Sequence, residues 1–200
     1  MIYRIFQVCF SDESIFQVLM EKSKFVRRRP GEQFKPGCIV PTVKHPPSIM
    51  VWSVISGKGT GRLYIVEKTM KQDQYKKVLE TRLMPQMNEW FPGDEKPIFM
   101  HDGAPCHKAK SISAYLKAKN IDVLDGPGNS ADMNAIENVW ELLKREIAKK
   151  CITNKVGLIE TLIKEWNHNP HLQDTIQACI DSMPRRIEAV IAAKGELTKY

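Results

Sequence analysis

The chain has 200 residues, 42% of them hydrophobic and 26% charged, with a formal net charge of +7. That content suffices for one hydrophobic core, and the length demands no second, so a single domain over 1–200 is expected. The five cysteines are odd in number and lack a close C-x-x-C pair, which argues against a zinc site and a disulfide scaffold.

No apolar run approaches the roughly 20 residues that span a bilayer, and the N-terminus lacks a signal-peptide layout, so a soluble, intracellular protein in a reducing compartment with no membrane partner is expected. The sequence pI of about 9.1 favours a polyanionic partner whose binding weakens with salt, without establishing that the partner is DNA.

In chain order, the pattern predicts a β-hairpin over about 3–26, then a Pro-rich, basic excursion through His45-Pro46-Pro47, then strands over 49–56 and 62–67. Gly57-Lys58-Gly59-Thr60-Gly61 reads as the turn between those strands; no helix follows it and it lacks a Gly-Lys-Ser/Thr ending, so a phosphate-cradling loop is disfavoured. Tyr75, Val78, Leu79, Leu83 and Met87 recur at helical spacing and predict a helix over 72–90. A strand ending at His101, a helix over 108–119, a short buried strand over 121–124 and a helix over 132–150 follow, with helices to the end. A three-strand antiparallel meander followed by alternating helices and strands is the order of a ribonuclease-H-like α/β fold, a mixed central sheet flanked by helices.

Three acids stand out within this order. Asp12 closes the apolar run from Ile5, and Asp102 closes Pro97-Ile98-Phe99-Met100-His101, so each is expected at or near a strand end. Glu137 precedes Trp140, Leu143 and Ile147 at helical spacing, which places it in the first turn of an amphipathic helix. Two strand ends and a helix can converge, and a hard cation such as Mg²⁺ is held by a few carboxylates together with water and phosphate oxygens.

The residues around these acids resemble the signatures of the Tc/mariner transposases. Phe10-Ser11-Asp12-Glu13-Ser14, His101-Asp102-Gly103-Ala104-Pro105-Cys106-His107 and Gly128-Asn129-Ser130-Ala131-Asp132-Met133-Asn134-Ala135-Ile136-Glu137-Asn138 occur in the family's order. The 34 residues between Asp102 and Glu137, and Glu as the third acid, are features of the Tc-like branch. Val26-Arg27-Arg28-Arg29-Pro30-Gly31-Glu32, Pro41-Thr42-Val43-Lys44-His45, Met50-Val51-Trp52 and Ser182-Met183-Pro184-Arg185-Arg186 extend the resemblance over essentially the whole chain. It implies a ribonuclease-H-like catalytic domain that cuts transposon ends and joins them to target DNA in the nucleus, using two Mg²⁺ or Mn²⁺ ions. Asp12, Asp102 and Glu137 would be catalytic metal ligands, with Asp12 bridging. Partners implied are double-stranded DNA and a second copy of the chain. The family's N-terminal helix-turn-helix region has no counterpart ahead of the first catalytic strand, so sequence-specific recognition of transposon ends is expected to be missing.

Neighbouring polar residues carry competing readings. Asp132 is expected to cap the helix rather than bind metal. Glu13, adjacent to Asp12 on a strand, would face the opposite side in a solvent or structural role. His107 either positions a phosphate or metal-bound water or is a helix-start histidine bonded to backbone, and Cys106 reads as a small buried residue; neither is assigned to catalysis. The four tryptophans read as core anchors. Arg27, Arg28 and Arg29, with Lys24 and Lys35, form the densest basic patch, in a stretch over about 24–48 that the resemblance implies is a clamp-like loop contacting DNA or the dimer partner. The alternative is a solvated loop or a weak nuclear-localisation cluster. Lys144 and Arg145, with Lys149 and Lys150, form a second DNA-facing candidate.

The chain departs from the family where Gly126 replaces a Trp and Ala131 and Ala135 replace two prolines. The loop carrying Glu137 is therefore expected to be looser and activity impaired. A catalytically silent, transposase-derived DNA-binding or dimerisation module is the alternative function; it would be marked by loss of an acid, and none is lost. A nuclease acting on RNA–DNA hybrids through the same fold is disfavoured by the family motifs.

Overall fold

One long strand organises the molecule. In Val8–Gln17 (β1), Val8, Phe10 and Phe16 are buried on one face of the sheet and Cys9 on the other, the alternation expected of a strand covered on both sides. The computed structural model describes residues 2–18, 28–35, 38, 46–125 and 133–195. A 3₁₀ segment, Ile2–Gln7, leads into β1. The strand pairs antiparallel with Ser48–Ser56 (β2), from Phe10↔Ile55 to Gln17↔Ser48, and Val18 N donates to Pro47 O beyond the last pair. The predicted hairpin over 3–26 is thus corrected in its described part: the partner of β1 lies across the basic excursion, while 19–27 fall outside the described residues.

Gly59–Thr60 (β3) and Tyr64–Val66 (β4) both return along β2. The register shifts by one residue between Ile55↔Thr60 and Trp52↔Tyr64, so a bulge separates the two short strands. Gly61 sits in that bulge, and its amide donates to Val54 O at 2.7 Å. A Cβ here would lie 2.6 Å from Val54 Cγ1 and 2.7 Å from Val54 O. The Gly61 carbonyl in turn accepts from the buried Trp166 Nε1 at 2.8 Å. Gly61→Ala is expected to destabilise the domain by about 2–3 kcal/mol, because backbone cannot move aside as a flexible side chain would. Urea unfolding checks this, and an unchanged midpoint would show that the bulge relaxes.

On its other edge β1 runs parallel to Ile98–His101 (β5), which runs parallel to Asp122–Asp125 (β6), so the sheet order is β3-β2-β1-β5-β6 with β4 also on β2. The antiparallel meander followed by parallel strands agrees with the expected order. The crossover into β5 is the predicted helix over 72–90, resolved as Gln72–Val78 (α1), a π turn over Leu79–Leu83 and Met84–Trp90 (α2). Pro85, at the start of α2, has no N–H to give to the preceding turn and its ring would crowd that turn's carbonyl. Widening the turn just before it, where Met84 N bonds Leu79 O, accommodates the ring while Leu79 and Leu83 stay buried.

Lys110–Ala118 (α3) connects β5 to β6; Ala135–Ala148 (α4), Lys155–His168 (α5) and Pro170–Ala192 (α6) follow. Two cores result. Tyr75, Leu79, Leu83, Ile112 and Leu116 cover the Cys9 and Phe99 face, and α4 to α6 cover the Val8, Phe10 and Met100 face. Trp140 and Trp166 stack at 4.9 Å, and Phe16 meets Trp140 edge-on at 5.9 Å, arrangements that add to the area term for such large side chains. Trp52, Trp140 and Trp166 are core anchors as predicted, whereas Trp90 is only half-buried. No described helix is long and apolar enough to cross a membrane.

Candidate active site

Asp12 lies within β1, opposite Ser53 of β2, and the strand continues five residues further; this corrects the expectation of a strand end. What ends near Asp12 is the parallel ladder to β5, whose last pair is Phe10↔Met100. Carried forward by two residues, that register sets Asp12 level with Asp102, the first residue after β5. By the two-residue period both acids belong to the Phe10 and Met100 face, the face that α4 covers.

The predicted start of α4 is also corrected. The helix begins at Ala135, the cap position is Asn134, and Asp132 lies outside the described residues. Asn134 does not use its side chain as a cap; buried, it donates Nδ2 to Ser11 O at 3.3 Å. The start of α4 is therefore tied to the residue preceding Asp12, and Glu137 sits in its first turn, where Glu137 N donates to Asn134 O.

The electrostatics of Asp12 follow from this convergence. Its carboxyl is pushed from 3.8 up to about 8, first by burial, then by the charges of Glu137 and Glu13, with Asp102 adding a smaller push. Closely placed carboxylates in a partly dry site resist joint ionisation unless a cation joins them. The donor set is all carboxylate oxygen, the chemistry that Mg²⁺ or Mn²⁺ prefers, so the residues fit such an ion. As placed, no three of the described His, Cys, Asp and Glu side chains are gathered tightly enough to enclose one, so closing the set requires side-chain rotation.

Asp102 shows what constrains it. Oδ1 accepts from Ala104 N at 3.0 Å and from His107 Nδ1 at 2.5 Å. His107 is 2% exposed, and its Nε2 stands 3.3 Å from Glu13 Oε1, a charge contact too poorly aligned to count as a hydrogen bond. Burial by itself would lower the His107 pKa, but Glu13 and Asp102 together hold it above the ordinary imidazole value. The Tyr75 ring packs on His107 at 4.0 Å, and its hydroxyl lies 2.9 Å from His101 Nδ1. Both readings offered for His107 are replaced by a buried bridge between two carboxylates. Glu13 does take a structural role, away from Asp12, as expected. The alternation along β1 gave its direction; its partner, 94 positions later, left no local signal.

The basic candidates fare unevenly. Arg27 and Lys24 lie outside the described residues; Arg28 and Arg29 are exposed, and Glu32 accepts from Arg29 N and pairs with Lys35. Lys144 and Arg145 are exposed on α4, with Lys144 Nζ 5.7 Å from the centre of the Phe16 ring, while Lys149 and Lys150 pair with Glu146 and Glu165. A cleft of about 460 Å³ opens beside Asp102, with Lys108 and Lys117 in its wall. Another of about 470 Å³, lined by Met84, Phe91 and Lys96, borders none of the three acids.

Of the departures near Glu137, Gly126 and Ala131 lie outside the described residues. Ala135 is the first residue of α4, preceded by Asn134 at φ −103°, ψ 102°, a conformation open to a residue before proline. Ala135→Pro is expected to stabilise the domain by about 0.4–1 kcal/mol through the unfolded chain. A lower melting temperature would show that the packing around fully buried Ala135 rejects the ring.

Asp12 on β1, Asp102 just after the adjacent parallel β5 and Glu137 on the overlying α4 thus share one mixed sheet covered on both faces. Residues 7–159 match the family model for the DDE superfamily endonucleases, and the chain belongs to that family, as a homologue of the Tc1/mariner transposases. It is 34% identical over 193 residues to the Tcb2 transposase of Caenorhabditis briggsae and 32% identical over 197 residues to the Tc1 transposase of Caenorhabditis elegans. Each alignment covers 96% of this chain and 69% of the relative. The fold matches the Mos1 mariner paired-end complex with Mn at a TM-score of 0.82 and 18% identity, covering 100% of this chain and 58% of that one. It matches the isolated catalytic domain of Mos1 mariner transposase at 0.74 and 15%, covering 98% and 85%. The ribonuclease-H-like fold expected from sequence is therefore observed.

Proposed function

We propose that this chain is the catalytic domain of a DNA transposase, cutting DNA at transposon ends and transferring the liberated 3′-hydroxyls into target DNA. What supports the reading is the placement of Asp12 on β1 level with Asp102 just after the adjacent parallel β5, and of Glu137 in the first turn of α4, which covers that face. Asp12, Asp102 and Glu137 are the residues that would hold Mg²⁺ or Mn²⁺, through the carboxylate oxygens such ions prefer. When bound, two such ions would activate the attacking water or hydroxyl and stabilise the leaving oxygen. The chain's own contribution is to hold three carboxylates on a sheet-and-helix frame and to set Lys108 and Lys117 in the cleft beside Asp102, where they would attract a phosphate. The substrate is double-stranded DNA, engaged by a homodimer with the basic stretch over 24–48 as a clamp, and the site of action is the nucleus. The solved relatives whose descriptions name paired transposon ends, and Mn or Mg, support a divalent ion and transposon-end DNA.

The test is nicking and strand transfer on a labelled transposon-end duplex, with Mg²⁺, Mn²⁺ or EDTA, beside Asp102→Asn. Cleavage that requires the ion and the Asp102 carboxylate is expected. Equal cleavage by parent and variant would overturn the site.

A further inference from the structure

We propose that Glu13 and His107 are positioning residues that act in series on Asp102, fixing which of its oxygens faces the cation; the inference rests on the reading of Asp102 as a metal ligand. His107 is almost fully buried between two carboxylates, 2.5 Å from Asp102 Oδ1 through Nδ1 and 3.3 Å from Glu13 Oε1 through Nε2. Nδ1 is held by a hydrogen bond and Nε2 by a charge contact only, so a turn of the ring gives up both carboxylates. Tyr75 closes one face of the ring at 4.0 Å, and His107 N and Lys108 N both donate to Ala104 O, holding the turn on which His107 rides.

The consequence falls on Asp102. Its two hydrogen bonds, from Ala104 N and His107 Nδ1, both land on Oδ1, which leaves Oδ2 as the oxygen that neither of them engages. Asp102 is half exposed and follows the last residue of β5, so backbone pairing alone does not set its rotamer. Glu13 touches neither substrate nor cation in this scheme. It anchors the far nitrogen of His107 from the opposite face of the strand that carries Asp12. A partner that orients a ligating side chain commonly changes metal affinity by about 10–100-fold when removed.

The experiment is a Mn²⁺ titration of the whole chain followed by electron paramagnetic resonance of the free ion, which reads affinity without activity. Parent, Glu13→Gln, Glu13→Ala, His107→Ala, the Glu13→Ala/His107→Ala double variant and Asp102→Asn are compared, each checked for folding by circular dichroism and thermal unfolding. His107→Ala is expected to weaken Mn²⁺ binding at least about tenfold and Glu13→Ala several-fold, with the double variant no worse than His107→Ala alone, because two residues in series are not additive. Glu13→Gln keeps size and fold and is expected to fall between parent and Glu13→Ala. Parent-like affinity in folded Glu13→Gln and Glu13→Ala, or additive losses in the double variant, would overturn the series. Parent-like affinity in Asp102→Asn would instead overturn the metal-ligand reading beneath it.

Discussion

Asp12→Asn, Asp102→Asn and Glu137→Gln are each expected to lower metal-dependent DNA cleavage by about a thousandfold or more. Each change keeps shape and one oxygen but removes the charge that holds a divalent ion. A thousandfold loss corresponds to roughly 4 kcal/mol of transition-state stabilisation, a reasonable share of what divalent cations contribute to in-line phosphoryl transfer. The three variants should separate in another property. Asp12 is the most crowded of the acids, so its neutral variant relieves repulsion in the metal-free domain. Asp102→Asn keeps an oxygen for Ala104 N and His107 but weakens a charge-assisted contact, so it gains no such relief. Single-turnover cleavage at saturating Mg²⁺, with a melting curve for each variant, checks both parts. A variant cutting within tenfold of the parent would remove that residue from the catalytic set.

Much of this site could be read from sequence because local pattern carries it. Apolar runs before Asp12 and Asp102 fold as β1 and β5, and the spacing of Ile136, Trp140, Leu143 and Ile147 folds as α4, with Glu137 in its first turn. The errors arise where tertiary partners override local chemistry. Ser11-Asp12-Glu13-Ser14 has the composition of a turn, yet the strand runs through it. Ser11 Oγ donates to Met100 O, Glu13 meets His107, and the backbone stays paired to β2. None of those partners is visible in a window of a few residues. The cap of α4 fails similarly: Asp132 has capping chemistry, but Asn134 holds the position and spends its amide on Ser11 O. The Glu13–His107–Asp102 bridge is the largest omission. A DG turn and a lone histidine five residues later are common, and only the parallel placement of β1 beside β5 makes them one unit.

Stability against pH offers the most direct measure of the acid cluster without substrate. In the folded, metal-free domain Asp12 keeps its proton up to about pH 8, whereas in the unfolded chain it releases it near 3.8. Between those values the folded state binds more protons than the unfolded state, so stability falls as pH rises, by up to about 1.4 kcal/mol per unit for one such group. His107 acts in the same direction. Its pKa is raised by Glu13 and Asp102 despite burial, so the stability it contributes is full below its unfolded value and is lost as pH rises through the folded one. In EDTA the melting temperature is therefore expected to fall from pH 5 to pH 8. Asp12→Asn should flatten most of that slope and melt several degrees above the parent at pH 8, since 1 kcal/mol moves a domain of this size by about 2–4 °C. Saturating Mg²⁺ should flatten the parent's slope too, because a cation that binds the ionised acids of the folded state stabilises it by mass action. Parallel slopes for parent and Asp12→Asn in EDTA would mean that Glu137, Glu13 and Asp102 do not crowd Asp12 in solution, and the three-acid site would lose its physical basis.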